Sequence, residues 1–156
     1  MSLKQLFFRD VDLDDRFFES LKADYPGFDV WFRSKDAEPA YISRNEYDEI
    51  DGFLYLKIED EALSDMTPSY PQKKRVKMGT FKIEAHGTKL GERFLRIVLN
   101  FAMKNDIKDI YVTIFDKHVG LIRLIEKFGF SRMATKNKLT PNGHEGVYFK
   151  SLEWRG

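Results

Sequence analysis

The spacing of apolar positions changes several times along the chain, and each change predicts an element. Leu6 to Arg9 opens with a short apolar stretch that reads as a strand. Asp12 to Asp15 then supply acidic cap and first-turn residues ahead of Phe17, Phe18 and Leu21, a pattern that predicts an amphipathic helix. Tyr25-Pro26-Gly27 breaks that helix, and Phe28, Trp31 and Phe32 share one helical face in a second short helix ending before Lys35. Ala40-Tyr41-Ile42 and Gly52 to Ile58 read as strands from their β-branched and aromatic content, joined by the charged turn Arg44 to Asp51. Glu59 to Tyr70 is polar and contains Pro68, so it reads as an exposed loop between two paired strands. Arg75 to Glu84 alternates through Val76, Met78, Phe81 and Ile83, with Gly79 as an expected bulge.

The second half has a different rhythm. Phe94, Leu95, Ile97, Val98, Leu99, Phe101 and Ala102 cover more than half of a helix surface, which predicts a largely buried helix. Asp109 to Phe115 is a near-continuous β-rich run, as expected of an interior strand. Val119 to Phe128 carries the next helical pattern and ends at Gly129, a C-cap residue. Ser131 to Lys136 and Gly146 to Leu152 form a closing hairpin around Thr140-Pro141-Asn142-Gly143. The expected order is strand, two short helices, a three-strand antiparallel meander, helix, strand, helix and hairpin. That is an α/β (α+β) fold with a mixed, mostly antiparallel central sheet flanked by helices.

Composition narrows the class. A chain of 156 residues suits a single domain, here expected to span 1–156, and 42% hydrophobic with 33% charged residues describes a folded globular protein. The absence of cysteine excludes disulfides, thiolate metal sites and a Cys nucleophile. The acidic N-terminal region lacks a secretory signal pattern, and no apolar run reaches membrane-spanning length, so a cytoplasmic, non-membrane protein is expected. His86, His118 and His144 have no ligand-like spacing, so no metal site is expected. Net charge is +1, yet residues 1–65 hold 17 acids against 8 bases, while residues 66–156 hold 8 acids against 18 bases. Such a division points to an anionic partner for the C-terminal half. The run Lys73, Lys74, Arg75, Lys77 has the composition of a nucleic-acid footprint, but the remaining bases are dispersed and nucleic acid is not the expected partner.

The segment Ile83-Glu84-Ala85-His86-Gly87-Thr88-Lys89-Leu90-Gly91-Glu92 carries the most chemistry: a strand passes through a glycine-containing loop into a helix. Glycines permit close backbone approach, and the unpaired N–H groups at a helix start favour a phosphate. A tight turn alone would also use these glycines. Neither the Gly-Lys-Ser/Thr phosphate loop nor the Gly-x-Gly-x-x-Gly dinucleotide spacing is present.

That loop, followed by Ile110 to Phe115 and then Leu124-Ile125-Glu126-Lys127-Phe128-Gly129-Phe130, resembles the GNAT superfamily of CoA-dependent N-acetyltransferases. The resemblance covers the whole chain as element order and about residues 81 to 130 as motif. It implies a transferase that passes the acetyl group of acetyl-CoA, as cosubstrate, to a primary amine on a small molecule or protein. The family's Arg/Gln-x-x-Gly-x-Gly/Ala loop maps onto His86, Lys89 and Gly91, so Lys89 stands where the family has its first glycine. Its Asn-x-x-Ala-x-x-Leu-Tyr-x-x-x-Gly-Phe segment maps onto His118, Leu121, Leu124, Ile125, Gly129 and Phe130, with Ile125 in place of the Tyr that often protonates the thiolate. The implied cofactor-binding set is Phe81, Lys82 and Ile83 on the strand, His86, Gly87, Thr88, Lys89, Leu90, Gly91 and Glu92 in the loop and helix start, and His118 and Leu121 in the second segment. Glu84, at the strand end, is the candidate base, and Tyr111 and Tyr148 are candidate substitutes for the missing acid.

The acceptor amine is expected between the early helices, near Tyr25, Phe28 and Trp31, and the opposite segment Glu59 to Tyr70. The acidic N-terminal half suits a cationic acceptor. Two other readings stay open: a GNAT-like CoA-binding or protein-interaction module with weakened chemistry, prompted by Lys89 and Ile125, and an acyltransferase acting on charged tRNA, prompted by Lys73 to Lys77. Many relatives of this kind pair as homodimers, which leaves a dimer open.

Overall fold

The computed structural model describes residues 2–84 and 88–153, together with the backbone but not the side chain of Thr88. Its strands are β1 (Ser2–Phe7), β2 (Pro39–Arg44), β3 (Ile50–Leu63), β4 (Met66–Thr67), β5 (Tyr70–Ile83), β6 (Asp109–Phe115), β7 (Ser131–Lys136) and β8 (Glu145–Ser151). The helices are α1 (Glu19–Asp24), α2 (Phe28–Ser34), α3 (Thr88–Lys104) and α4 (Val119–Lys127). Hydrogen-bonded strands follow the order β1-β2-β3-β5-β6-β8-β7-β4. The β1/β2, β2/β3, β4/β7, β6/β8 and β7/β8 pairs are antiparallel, whereas β5 and β6 run parallel, with Val76 opposite Ile110 and Met78 opposite Val112. This is the mixed, mostly antiparallel α/β architecture expected from the sequence. Among the described residues no helix is long and apolar enough to cross a membrane.

Contacts divide the chain into two compact units, and β3 and β5 each contribute to both. The first comprises the chain through Tyr55 and the segment from Thr80 to the end of β5. Asp15 starts its helical region by accepting the Phe17 N–H at 2.9 Å, so the acidic run acts as the cap its spacing predicts. Gly27, at φ +83°, turns the chain between α1 and α2, where a side chain would be strained. The core is aromatic. Phe18 meets Phe17, Phe32 and Phe53 edge-on with ring centroids 5.1 to 5.4 Å apart, and Phe8 does the same with Phe53 and Tyr55 at 5.6 and 5.1 Å. One detail differs from the sequence expectation. The first strand begins at Ser2 and ends at Phe7, because Phe8 leaves the pleat in a 3-10 turn to join this cluster. Phe28 is likewise buried in the core.

The second unit comprises Leu56–Gly79 and the chain from α3 onward. Here the expected loop Glu59 to Tyr70 is mostly strand: β3 continues to Leu63, β4 pairs with β7, and β5 starts at Tyr70, leaving 64–65 and 68–69 irregular. Its polar residues have particular partners, since Glu59 accepts from Tyr111 and Asp65 from Lys136, while Leu63 and Met66 pack with Tyr111, Ala134 and Val147. Phe94, Leu95, Val98 and Ala102 form the buried stripe of α3, as the periodicity requires. α4 ends in a Schellman motif: Gly129, at φ +91°, donates its N–H to the Glu126 carbonyl at 3.0 Å, and Phe130 donates to Ile125 at 3.1 Å. The Gly-Phe pair of the second motif is thus the device that stops this helix.

Gly91, the fourth residue of α3, is buried against α4. A Cβ there would lie 2.5 Å from Leu124 Cδ2, so the Leu124 side chain would have to shift to admit it. The two sequence motifs therefore meet physically through Gly91 and Leu124.

Phe18→Ala should destabilise the chain by about 3–5 kcal/mol in urea titration, the cost of emptying a fully enclosed aromatic site. In a Leu124→Ala background, Gly91→Ala should stabilise by about 1 kcal/mol through helix propensity alone. With Leu124 intact the clash should cancel or reverse that gain, so equal effects in both backgrounds would show that the contact imposes no constraint.

Candidate active site

The carboxyl end of β5 organises the candidate residues of the first unit. Phe81 is buried, and Lys82 turns its side chain toward the start of the first helical region, where Nζ donates to the Phe17 carbonyl and lies 4.4 Å from the Phe17 ring centroid. The same Nζ is 3.0 Å from Glu84, whose carboxylate is about half exposed. Glu84 donates its backbone N–H to the Asp51 carbonyl at 2.8 Å, fixing the strand end against the start of β3. Its side chain opens on a cleft of about 590 Å³ that Asp15, Arg16, Asn45, Glu49, Ile50 and Asp51 complete. Asn45 shapes the β2–β3 turn beside it, its Oδ1 accepting the N–H groups of Tyr47 and Glu49 at 2.9 and 3.0 Å.

In the second unit, Lys89 is exposed in the first turn of α3, Leu90 is buried, and Glu92 pairs with Lys127 of α4 at 3.4 Å. No acidic residue occupies the first turn of α3. His118 is the N-cap residue of α4 and is exposed, whereas Leu121 is half-buried. Ile125 is 0% exposed and belongs to the core. His86 and Gly87 lie outside the described residues, as does the side chain of Thr88.

The two candidate acids differ. The Tyr111 hydroxyl donates to buried Glu59, which Lys57 also approaches at 3.3 Å. Burial, followed by the hydrogen bond and charge of Glu59, pushes the Tyr111 phenol well above its ordinary value. Its proton is therefore committed to Glu59. Tyr148 is also buried, and burial raises its phenol as well, but Arg132, held by Asp116 at 2.8 Å, opposes the shift.

Sequence reasoning missed Glu59 and Asp51, each 7% exposed. Glu59 falls in a segment whose polarity reads as a loop, and Asp51 sits at a turn boundary where acids are ordinary. The only local signal was position: both belong to an extended run starting at Ile50. The basic run also resolves differently. Arg75 is 3% exposed and donates to the carbonyls of Glu61 and Pro71, and Lys73 pairs with Asp109 at 2.8 Å, whereas Lys74 is exposed.

Because the Tyr111 phenol is raised in the folded state, the native chain retains this proton above pH 10 after the unfolded chain has begun to release it. The stability it contributes is complete below about pH 10 and declines as pH rises further. Tyr111→Phe should therefore flatten the alkaline limb of stability against pH while costing about 1–3 kcal/mol near neutrality, where Glu59 loses its donor. Urea denaturation from pH 7 upward checks both effects.

No family model and no curated protein sequence matches the chain. Solved structures do. An N-acetyltransferase from Staphylococcus aureus Mu50 is 11% identical with a TM-score of 0.66, covering 97% of this chain and 99% of that one. Arabidopsis thaliana Naa50, solved with the bisubstrate analogue CoA-Ac-MVNAL, is 21% identical with a TM-score of 0.64, covering 97% and 99%. A GNAT family acetyltransferase from Elizabethkingia anophelis, solved with acetyl-CoA bound, is 12% identical with a TM-score of 0.62, covering 96% and 98%. Likeness at such identities is likeness of fold, and it extends over nearly the full length of both partners. The chain has the GNAT acetyltransferase fold.

Proposed function

We propose that this chain is an N-acetyltransferase that transfers the acetyl group of acetyl-CoA to a primary amine. The observation that carries the reading is the meeting of the two motif segments at Gly91 and Leu124, within a fold whose solved neighbours include an acetyltransferase with acetyl-CoA bound. The donor set fits a pyrophosphate. The start of α3 offers backbone N–H groups with no acid in its first turn, and exposed Lys89 adds a cation beside them. Lys89 at the glycine position then becomes a phosphate ligand in place of a close backbone approach. Exposed Arg93 and Arg96 extend the positive charge along α3.

Acetyl-CoA supplies an activated thioester. The chain must hold it, present a neutral amine to the carbonyl carbon, and return a proton to the sulfur as the C–S bond breaks. Glu84, partly exposed and bordering an acidic cleft, is the residue we assign to draw the proton from the acceptor ammonium through water. Of the two phenols, Tyr148 is the one we assign as proton donor, because the Tyr111 proton is held by Glu59. The burial of Ile125 at the family's Tyr position favours a second reading, a CoA-binding module with slow chemistry.

Calorimetric titration with acetyl-CoA should give micromolar binding, weakened about tenfold by Lys89→Glu, the loss expected for a charge-assisted contact replaced by repulsion. Thiol release against a panel of primary amines should then be slowed by Glu84→Gln without loss of acetyl-CoA affinity. Binding without turnover supports the module, and absence of binding by the wild type removes both readings.

A further inference from the structure

The first strand leaves one edge of its sheet open. β1 stands at the end of the strand order and, among the described residues, pairs with β2 alone. The phase of that pairing follows from one contact. Phe8 donates its N–H to the Glu38 carbonyl at 2.9 Å, continuing the register that sets Phe7 opposite Pro39 and Leu6 opposite Ala40. Bonded and non-bonded positions alternate in an antiparallel pair, so Ser2, Lys4 and Leu6 turn their backbone groups toward β2. Pro39, which has no N–H to give, accordingly falls at a non-bonded position. Leu3, Gln5 and Phe7 therefore direct their N–H and C=O groups away from β2. Pleat alternation also puts their side chains together, on the face opposite Leu6, which packs on the aromatic core. Gln5 is exposed, and Phe7 is 43% exposed although the Arg9 guanidinium lies 4.7 Å from its ring centroid. Native edges are commonly blunted by proline or a bulge, yet Ser2–Phe7 contains no proline and its register is unbroken.

We propose that β1 pairs with β1 of a second copy of this chain, antiparallel and centred on Gln5. In that register Leu3 of each copy faces Phe7 of the other, and the outward backbone groups of all three residues are paired about a twofold axis. Leu3 and Phe7 thereby gain the apolar cross-strand contact that an open edge denies them. Charge selects this register. Pairing centred on Lys4 would set two ammonium groups directly opposite each other, whereas centring on Gln5 moves each Lys4 opposite Leu6 of the other copy. Centring on Leu6 would set Phe7 opposite Gln5 and lose the Leu3 contact. The ladder is short, and a strand of 6 residues buries less than the roughly 800 Å² per partner of a standard interface. The dimer is therefore weak, with a Kd of about 100 μM.

Sedimentation equilibrium of the full chain without acetyl-CoA, from about 10 μM to about 1 mM, reads this association and is independent of the acetyltransferase reading. A monomer–dimer equilibrium is expected. Gln5→Pro removes an outward N–H that β2 does not use, so the urea midpoint should be unchanged while the dimer is lost. The chain has no cysteine, so introduced thiols report proximity without interference. Gln5→Cys sets two thiols on facing residues with Cα atoms about 5.5 Å apart, within disulfide reach, and mild oxidation should yield a covalent dimer. Leu3→Cys places its thiols at opposite ends of the ladder and should crosslink far more slowly. A monomer throughout the range, a dimer that survives Gln5→Pro, or equal crosslinking of Gln5→Cys and Leu3→Cys overturns the proposal. If Gln5→Pro lowers the urea midpoint, the two cysteine variants carry the test, with the same outcomes deciding it.

Discussion

The approach of α3 to α4 at Gly91 is the constraint that brings the two motif segments into contact. With Leu124 Cδ2 only 2.5 Å from where a Cβ would stand, no other residue fits without displacing a neighbour. Through this contact the start of α3 and the body of α4 are held together, although more than thirty residues of sequence and the whole of β6 separate them. Two further interactions support the same arrangement. Glu92 reaches Lys127 across the helix pair, and the Schellman ending at Gly129 and Phe130 fixes where α4 stops. A motif glycine that reads as a phosphate-cradle residue therefore has a packing role as well.

Polar groups inside each unit show how the fold resolves buried charge. Glu59 is made tolerable by a phenol and an ammonium, and Arg75 by two backbone carbonyls. Both sets of partners lie within the same unit. Ser43 Oγ, Asp51 Oδ1 and the Nε of Arg75 are buried without a hydrogen-bond partner among the described residues.

The division of charge along the sequence takes a specific form in the structure. The acidic half contributes a cleft bordered by Asp15, Glu49 and Asp51, and the basic half contributes the exposed Lys89, Arg93 and Arg96 of α3. On the proposed reading, the basic half takes the anionic cosubstrate and the acidic half the cationic acceptor. Arg75 and Lys73 belong to the same basic half yet are spent on structure, which a count of charges could not distinguish.

Local physics made much of this chain legible from sequence. Asp15 caps its helix, Pro26-Gly27 breaks α1 from α2, Gly129 ends α4, and the β-rich run at Asp109 to Phe115 forms a strand with those bounds. Each of these signals lies within a few residues of the feature it determines, through dihedral preference, capping or periodicity. What the sequence left undecided depended on partners distant along the chain. Glu59 is tolerated in β3 because the Tyr111 hydroxyl donates to it, Phe8 leaves β1 because an aromatic cluster receives it, and the space beside Gly91 is taken by the Leu124 side chain. The sequence by itself determined the elements and their order, since those follow from short-range backbone and side-chain preferences. Only the tertiary structure decided which polar residues are buried and paired, because that depends on contacts between segments tens of residues apart.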